Sequence, residues 1–199
     1  MPDINGKYKA IVIGASAGGL FALSFILETL PSDYPVPVIV VQHRSKDQRD
    51  LLEEVLQSKC KVRIKQADEK ENIEAGNVYI APPDYHLLIE SDKTFSLSSD
   101  ELVCFSRPSI NVLFETAAVV FKNTLVGIIL TGANNDGAAG ILAIKKYGGL
   151  AIAQNPDEAQ FPLMPKISIE TKAIKHIWTL PEIQNFLLKI STTQNEKKR

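Results

Sequence analysis

Ala10-Ile11-Val12-Ile13 is a continuous apolar run, and Gly14-Ala15-Ser16-Ala17-Gly18-Gly19-Leu20 follows it without a charged side chain. Runs of this kind form strands buried on both faces, which occur in parallel sheets covered by helices. Leu20, Leu23, Ile26, Leu27 and Leu30 then recur at helical spacing until Pro31. The stretch therefore predicts a strand, a tight turn and a helix. Such a turn holds Ser16 above the end of a sheet, with the first helical N–H groups facing the same space. Two chemistries fit it. Gly14, Ser16 and Gly18 match the G-x-S-x-G nucleophile turn. A phosphate-cradling turn of the dinucleotide-binding kind expects G-x-G-x-x-G in the same setting.

The rest of the chain repeats the alternation. Apolar runs at Val36–Val41, Leu125–Leu130 and Leu150–Ala153 predict further buried strands, and shorter ones are expected at 62–64, 78–80 and His176–Trp178. Helices are expected over Asp50–Ser58, Ile110–Phe121, Ala138–Tyr147, Lys166–Lys172 and Pro181–Ile190. His86–Glu90 and Thr94–Leu97, joined by Ser91-Asp92-Lys93, read as an inserted β-hairpin. The fold class is α/β: a doubly wound, mostly parallel sheet with helices on both faces. The 199 residues suit one domain, expected over residues 1–190, with 191–199 a frayed polar tail. A domain of this size buries roughly 70% of its unfolded surface and needs no disulfide staples.

Composition narrows the function classes. A net charge of -1 gives no support to nucleic-acid binding. Two cysteines, Cys60 and Cys104, make a disulfide framework unlikely to be needed and set a reducing, cytoplasmic home as the expectation. No segment approaches the ~20 apolar residues of a membrane span, so the chain is expected not to insert in a membrane. Met1–Gly6 lacks a signal-peptide pattern and the first strand starts within ten residues, so neither a leader nor a preceding domain is expected. Three scattered histidines and two distant cysteines give no metal-ligand spacing, so neither metal nor cofactor is expected.

Ligands of open α/β sheets sit outside the carboxyl ends of the strands. Three loops at that edge carry reactive side chains: Ser16, His43 after the second strand, and Asp136 after the Leu125–Leu130 strand. A serine hydroxyl needs a base, and the base needs an acceptor that holds its tautomer. Asp136 would alternatively cap the helix that follows it. The dinucleotide reading weakens because Ser16 takes the place of the second glycine and the second strand ends in Gln42-His43-Arg44, without an acidic residue for a ribose. No Walker A loop occurs. The order Ser16, His43, Asp136 also differs from that of the α/β-hydrolases.

Ile13–Gly19, Val41-Gln42-His43, Arg107-Pro108-Ser109 and Leu130–Gly140 together resemble the catalytic domain of chemotaxis protein-glutamate methylesterases, the CheB family. Val78–Pro82 and Met164-Pro165 fall where that family has similar segments, so the resemblance spans roughly residues 8 to 190. It implies hydrolysis of glutamate γ-methyl esters on methylated chemoreceptors, with methanol released, and deamidation of receptor glutamines in some members. It implies Ser16 as nucleophile, His43 as general base and Asp136 as the residue orienting His43, with no cofactor. Oxyanion donors are expected at Ala17, Gly18 and Ala133. The chain departs from the family at Ala17, often Thr, and at Ala133-Asn134, often Met-Gly. Many members carry a receiver domain; this chain is expected to stand alone, constitutive or controlled by a separate regulatory partner. The alternative is a catalytically weak, methylesterase-like module that binds a receptor or signalling partner. It would require a missing Ser16–His43 contact or an Asp136 carboxylate turned away.

Overall fold

A computed structural model describes residues 7–44 and 51–196. Expectations touching residues 1–6, 45–50 and 197–199 lie outside the described residues. The organising strand is β1 (Ala10–Ala15), at the centre of a seven-stranded sheet. On one side lie β2 (Val38–Gln42), then β4 (Asn77–Ile80), then β3 (Arg63–Gln66). On the other lie β7 (Leu125–Ile129), β8 (Leu150–Gln154) and β9 (His176–Trp178). Every pairing in this sheet is parallel. The chain winds one way from β1 to β2 and returns to β1's other edge as β7. Gly14 stands opposite Val41 and Ile129, so these three strands end at one level and deliver their loops to one edge.

Side chains alternate across the sheet. Ile11, Ile13 and Ala15 enter one core, with α1 (Gly19–Leu27), α2 (Leu52–Gln57) and α6 (Leu180–Glu196) over them. Ala10 and Val12 enter the other, beneath α3 (Ile110–Phe121), α4 (Ala138–Lys146) and α5 (Leu163–Glu170). The hairpin of β5 (His86–Ile89) and β6 (Phe95–Ser98) is antiparallel and separate from the main sheet. It rests on α3, where Leu87, Ile89 and Phe95 join the second core and Ile89 N–H donates to Thr116 Oγ1 at 3.2 Å.

The elements follow the expected order with shifted ends. α6 does not stop at Ile190: it continues through Glu196, and Ser191 is buried. The stretch 191–196 is polar, yet it holds no glycine or proline to stop a helix already anchored by Ile183, Phe186, Leu187 and Ile190. Among the described residues, no helix is long and apolar enough to cross a membrane.

Two tests of the packing follow. A Cβ at Gly140 would run into the Cβ of Phe114, because α4 crosses α3 there with nothing between the backbones. Gly140→Ala is expected to destabilise the fold by about 1–3 kcal/mol, read as a lowered denaturant midpoint. Tyr34, fully buried, donates its hydroxyl to Leu187 O at 2.9 Å, and burial pushes its ionisation well above the ordinary 10.0. The unfolded chain loses this proton above pH 10 while the folded chain keeps it, so stability falls as pH rises past that point, by up to about 1.4 kcal/mol per pH unit. Alkaline unfolding should therefore be shallower in Tyr34→Phe than in the parent; identical profiles would remove Tyr34 from this account.

Candidate active site

β1, β2 and β7 bring Ser16, His43 and Asp136 to one edge, as the loop pattern predicts. Ser16 is half-buried, 11% of the His43 side chain is exposed, and Asp136 is fully buried. His43 Nδ1 lies 3.2 Å from Ser16 Oγ, and His43 Nε2 lies 2.8 Å from Asp136 Oδ2. A carboxylate only accepts, so Nε2 carries the imidazole proton and the Nδ1 lone pair faces the serine hydroxyl. A binding module lacking this contact is not what the geometry describes.

Asp136 accepts four hydrogen bonds: from His43, from Ser109 Oγ at 2.8 Å, and from the backbone N–H groups of Ile110 at 2.6 Å and Asn111 at 3.0 Å. The last three belong to the start of α3. Asp136 does cap a helix, but not the one that follows it in sequence. That one, α4, starts at Gly137 with φ 101° and no side-chain cap at that residue. Its first N–H groups are met instead by Asn111 Oδ1, which accepts from Gly137 and Gly140, each at 2.9 Å. The two helices exchange caps. The carboxylate gains the positive end of α3, where anions are stabilised. Its charge adds to burial in pushing the Cys104 thiol and the Glu115 carboxyl up, with burial the larger cause in both.

Ser109 is itself held. Its N–H donates to His86 Nδ1 at 3.1 Å, and His86 Nε2–H donates to Glu101 O at 2.9 Å. His86 is buried and structural, as expected of it. Arg107 fastens the same loop through Asp84 at 2.7 Å and the carbonyls of Ser99 and Asp100.

The nucleophile turn is braced from two neighbouring strands. Gln42 ends β2, and its Nε2 donates to both Ser16 O and His43 O at 2.9 Å, so one amide holds the backbone of two site residues. Its Oε1 has no hydrogen-bond partner among the described residues and lies against Gly19. Gln154 ends β8, and its Oε1 accepts from Thr131 N–H at 2.9 Å. Thr131 O accepts from Ser16 N–H at 3.0 Å, and Thr131 Oγ1 donates to Ala17 O at 2.9 Å.

The glycines of the turn make room for residues from other elements. A Cβ at Gly14 would overlap Ile110, the first residue of α3, so Gly14 lets that helix reach Asp136. A Cβ at Gly19 would overlap the Gln42 amide. Gly18 caps α1 with φ 77°, a conformation unsuited to other residues, and offers no side chain to the helix N-terminus. Among the described residues, the N–H groups of Ala17, Gly18 and Ala133 make no hydrogen bond, whereas Gly132 N–H donates to Phe161 O. Gly132 passes so close to Ser16 that a Cβ there would stand 3.0 Å from the serine Cβ.

Asn134 has a role that the sequence did not suggest. It does not adopt positive φ, so replacing glycine there strains nothing. Its Oδ1 accepts from Asp136 N–H at 3.1 Å, which turns its Nδ2 toward His43 Nδ1 at 3.2 Å. Two donors, Ser16 and Asn134, thus converge on one lone pair. A cavity of about 470 Å³ opens beside Ser16, walled by Gly18, Leu20, Phe21, Lys59 and Gln160. Among the described residues, no three His, Cys, Asp or Glu side chains stand together as a metal site would need.

Comparison with known proteins shows the family. The family model described as CheB methylesterase matches residues 11–187. A Leptospira interrogans protein assigned by name to protein-glutamate methylesterase/protein-glutamine glutaminase is 48% identical over 96% of this chain and 100% of its own length. The Thermotoga maritima protein-glutamate methylesterase/protein-glutamine glutaminase is 34% identical over 85% of this chain, which spans 49% of that relative. The crystal structure of the Thermotoga maritima CheB methylesterase catalytic domain superposes with a TM-score of 0.88 at 32% identity, covering 92% of this chain and 98% of that one. The chain therefore belongs to the CheB methylesterase family of hydrolases.

Proposed function

We propose that this protein hydrolyses the γ-methyl esters of glutamate side chains on methyl-accepting chemoreceptors, acting in the cytoplasm on the receptor's cytoplasmic domain as a single catalytic domain over residues 1–190. The observation that carries this reading is the Ser16–His43–Asp136 alignment, at 3.2 and 2.8 Å. Ser16 Oγ attacks the ester carbonyl carbon as its proton passes to His43 Nδ1. Asp136 holds the ring by Nε2–H and stabilises the imidazolium. The carbonyl oxygen becomes an oxyanion, and the uncommitted N–H groups of Ala17, Gly18 and Ala133 are its donors. The C–O bond breaks, the departing methoxide takes the proton from Nδ1, and methanol leaves. His43 then takes a proton from water as it attacks the acyl-serine, and returns that proton to Ser16 Oγ as the acyl C–O bond breaks, freeing the glutamate side chain and the serine hydroxyl. A glutamine side chain follows the same path with ammonia as leaving group. When Nδ1 gains its proton, the Asn134 N–H must yield that site.

Methanol release from methylated receptor membranes tests the reading. Ser16→Ala should lower turnover on the order of 10⁶-fold with the fold unchanged. Equal release by parent and variant would refute the assignment of Ser16. Asp136→Asn should lower turnover by about 10⁴-fold, because an amide in that place lets the ring take the wrong tautomer. It should also lower thermal stability, since the amide N–H₂ turns toward donors at the start of α3. A variant that keeps full turnover would remove Asp136 from the mechanism.

A further inference from the structure

Between β6 and α3 the chain makes a tight turn whose chemistry and conformation disagree. Val103 N–H donates to Ser106 O at 3.2 Å, and Ser106 N–H donates to Val103 O at 3.0 Å. The two central residues, Cys104 and Phe105, have φ of 50° and 61°. Turns with two left-handed central residues are normally built from Asn-Gly or Gly-Gly, because larger side chains strain that backbone. Phe105 nevertheless occupies one of these places, and 97% of it is exposed. Among the described residues, nothing covers the Phe105 ring. Leu102, next to the turn, is exposed too.

The turn is fastened, not loose. Asn111 Nδ2 reaches Cys104 Sγ at 3.6 Å, Ser106 Oγ donates to Cys104 O at 3.4 Å, and Asn134 Nδ2 reaches Ser106 Oγ at 3.5 Å. Asn134 is the residue whose Nδ2 also lies 3.2 Å from His43 Nδ1. The strained turn is therefore two hydrogen-bond steps from the catalytic base. On the other side of Ser16, the first turn of α1 lifts Phe21 to 69% exposure beside the cavity. Strain held in place at a site, with an apolar ring aimed outward, points to a partner that the ring must meet.

We propose that Phe105 docks the protein substrate: its ring enters an apolar recess on the chemoreceptor polypeptide while the ester side chain of that polypeptide reaches Ser16. The inference rests on the chemoreceptor esterase reading above. A methyl ester is too small to supply much binding energy, so contacts remote from the reacting carbonyl must position it. Continuity of the turn with His43 makes the substrate itself the occupant of this surface.

Phe105→Asn tests this without endangering the fold, because asparagine suits a left-handed turn position. Its thermal midpoint should equal or exceed the parent's. On methylated receptor its KM should rise by about tenfold, the usual scale for removing an interface anchor, with kcat little changed. Hydrolysis of p-nitrophenyl acetate should stay within about twofold of the parent, as a small ester makes no remote contacts. Phe105→Trp should restore the receptor KM. Unchanged receptor kinetics in Phe105→Asn would overturn the docking role alone. A parallel loss on both substrates would overturn it by assigning the turn to the catalytic geometry. A concentration-dependent dimer lost in Phe105→Asn would overturn it in favour of a second copy of this chain. No methanol from the parent, with Ser16-dependent small-ester hydrolysis intact, would overturn the receptor reading and the docking role with it.

Discussion

The buried carboxylate of Asp136 seated on the first N–H groups of α3 is the contact on which the remaining architecture depends. A charged group inside a protein is tolerated only when its hydrogen bonds are complete, and here backbone donors supply them. The requirement reaches outward. α3 comes close enough only because Gly14 and Gly137 leave room for Ile110. Once the carboxylate is committed to α3, the start of α4 has lost its natural cap, and Asn111 returns one. Two helices and two strands are thereby locked in register around a single oxygen pair, with His43 the one ring among its described partners.

Ser16 is held by a different device. Its backbone is carried by amide side chains at the ends of neighbouring strands, Gln42 directly and Gln154 through Thr131. The Ser16 turn has no polar side chain of its own beyond the hydroxyl. Its support is borrowed, which leaves its N–H groups uncommitted. Positioning of this kind needs no rearrangement at the moment of reaction.

Much of this was legible in the chain. Apolar runs located the buried strands, and the strand-to-helix alternation implied the parallel sheet. Ser16, His43 and Asp136 could be found because each ends a strong strand at the same sheet edge. Residues that act across the fold left no such trace. Asn111 looks like a helix residue, Gln42 like a strand end and His86 like a hairpin start. Their roles arise from neighbours between 23 and 29 positions away, as with Gly140 for Asn111 and Ser109 for His86. The local rule that an aspartate before a helix caps that helix failed at Asp136 because a competing helix end lay closer in space. α6 outran its expected end because helix propagation needs only the absence of a stop, not continued apolar spacing.

The bracing of Ser16 joins residues from far apart along the chain: Gln42 after it, Thr131 much later, and Phe161 holding Thr131 in turn. Ser16 precedes all of these in the chain, and β1 has no β7 beside it until the chain past Val126 has been made. The bracing of Ser16 is complete only once the β8 loop is in place, so a chain cut short of it would carry the serine without its supports.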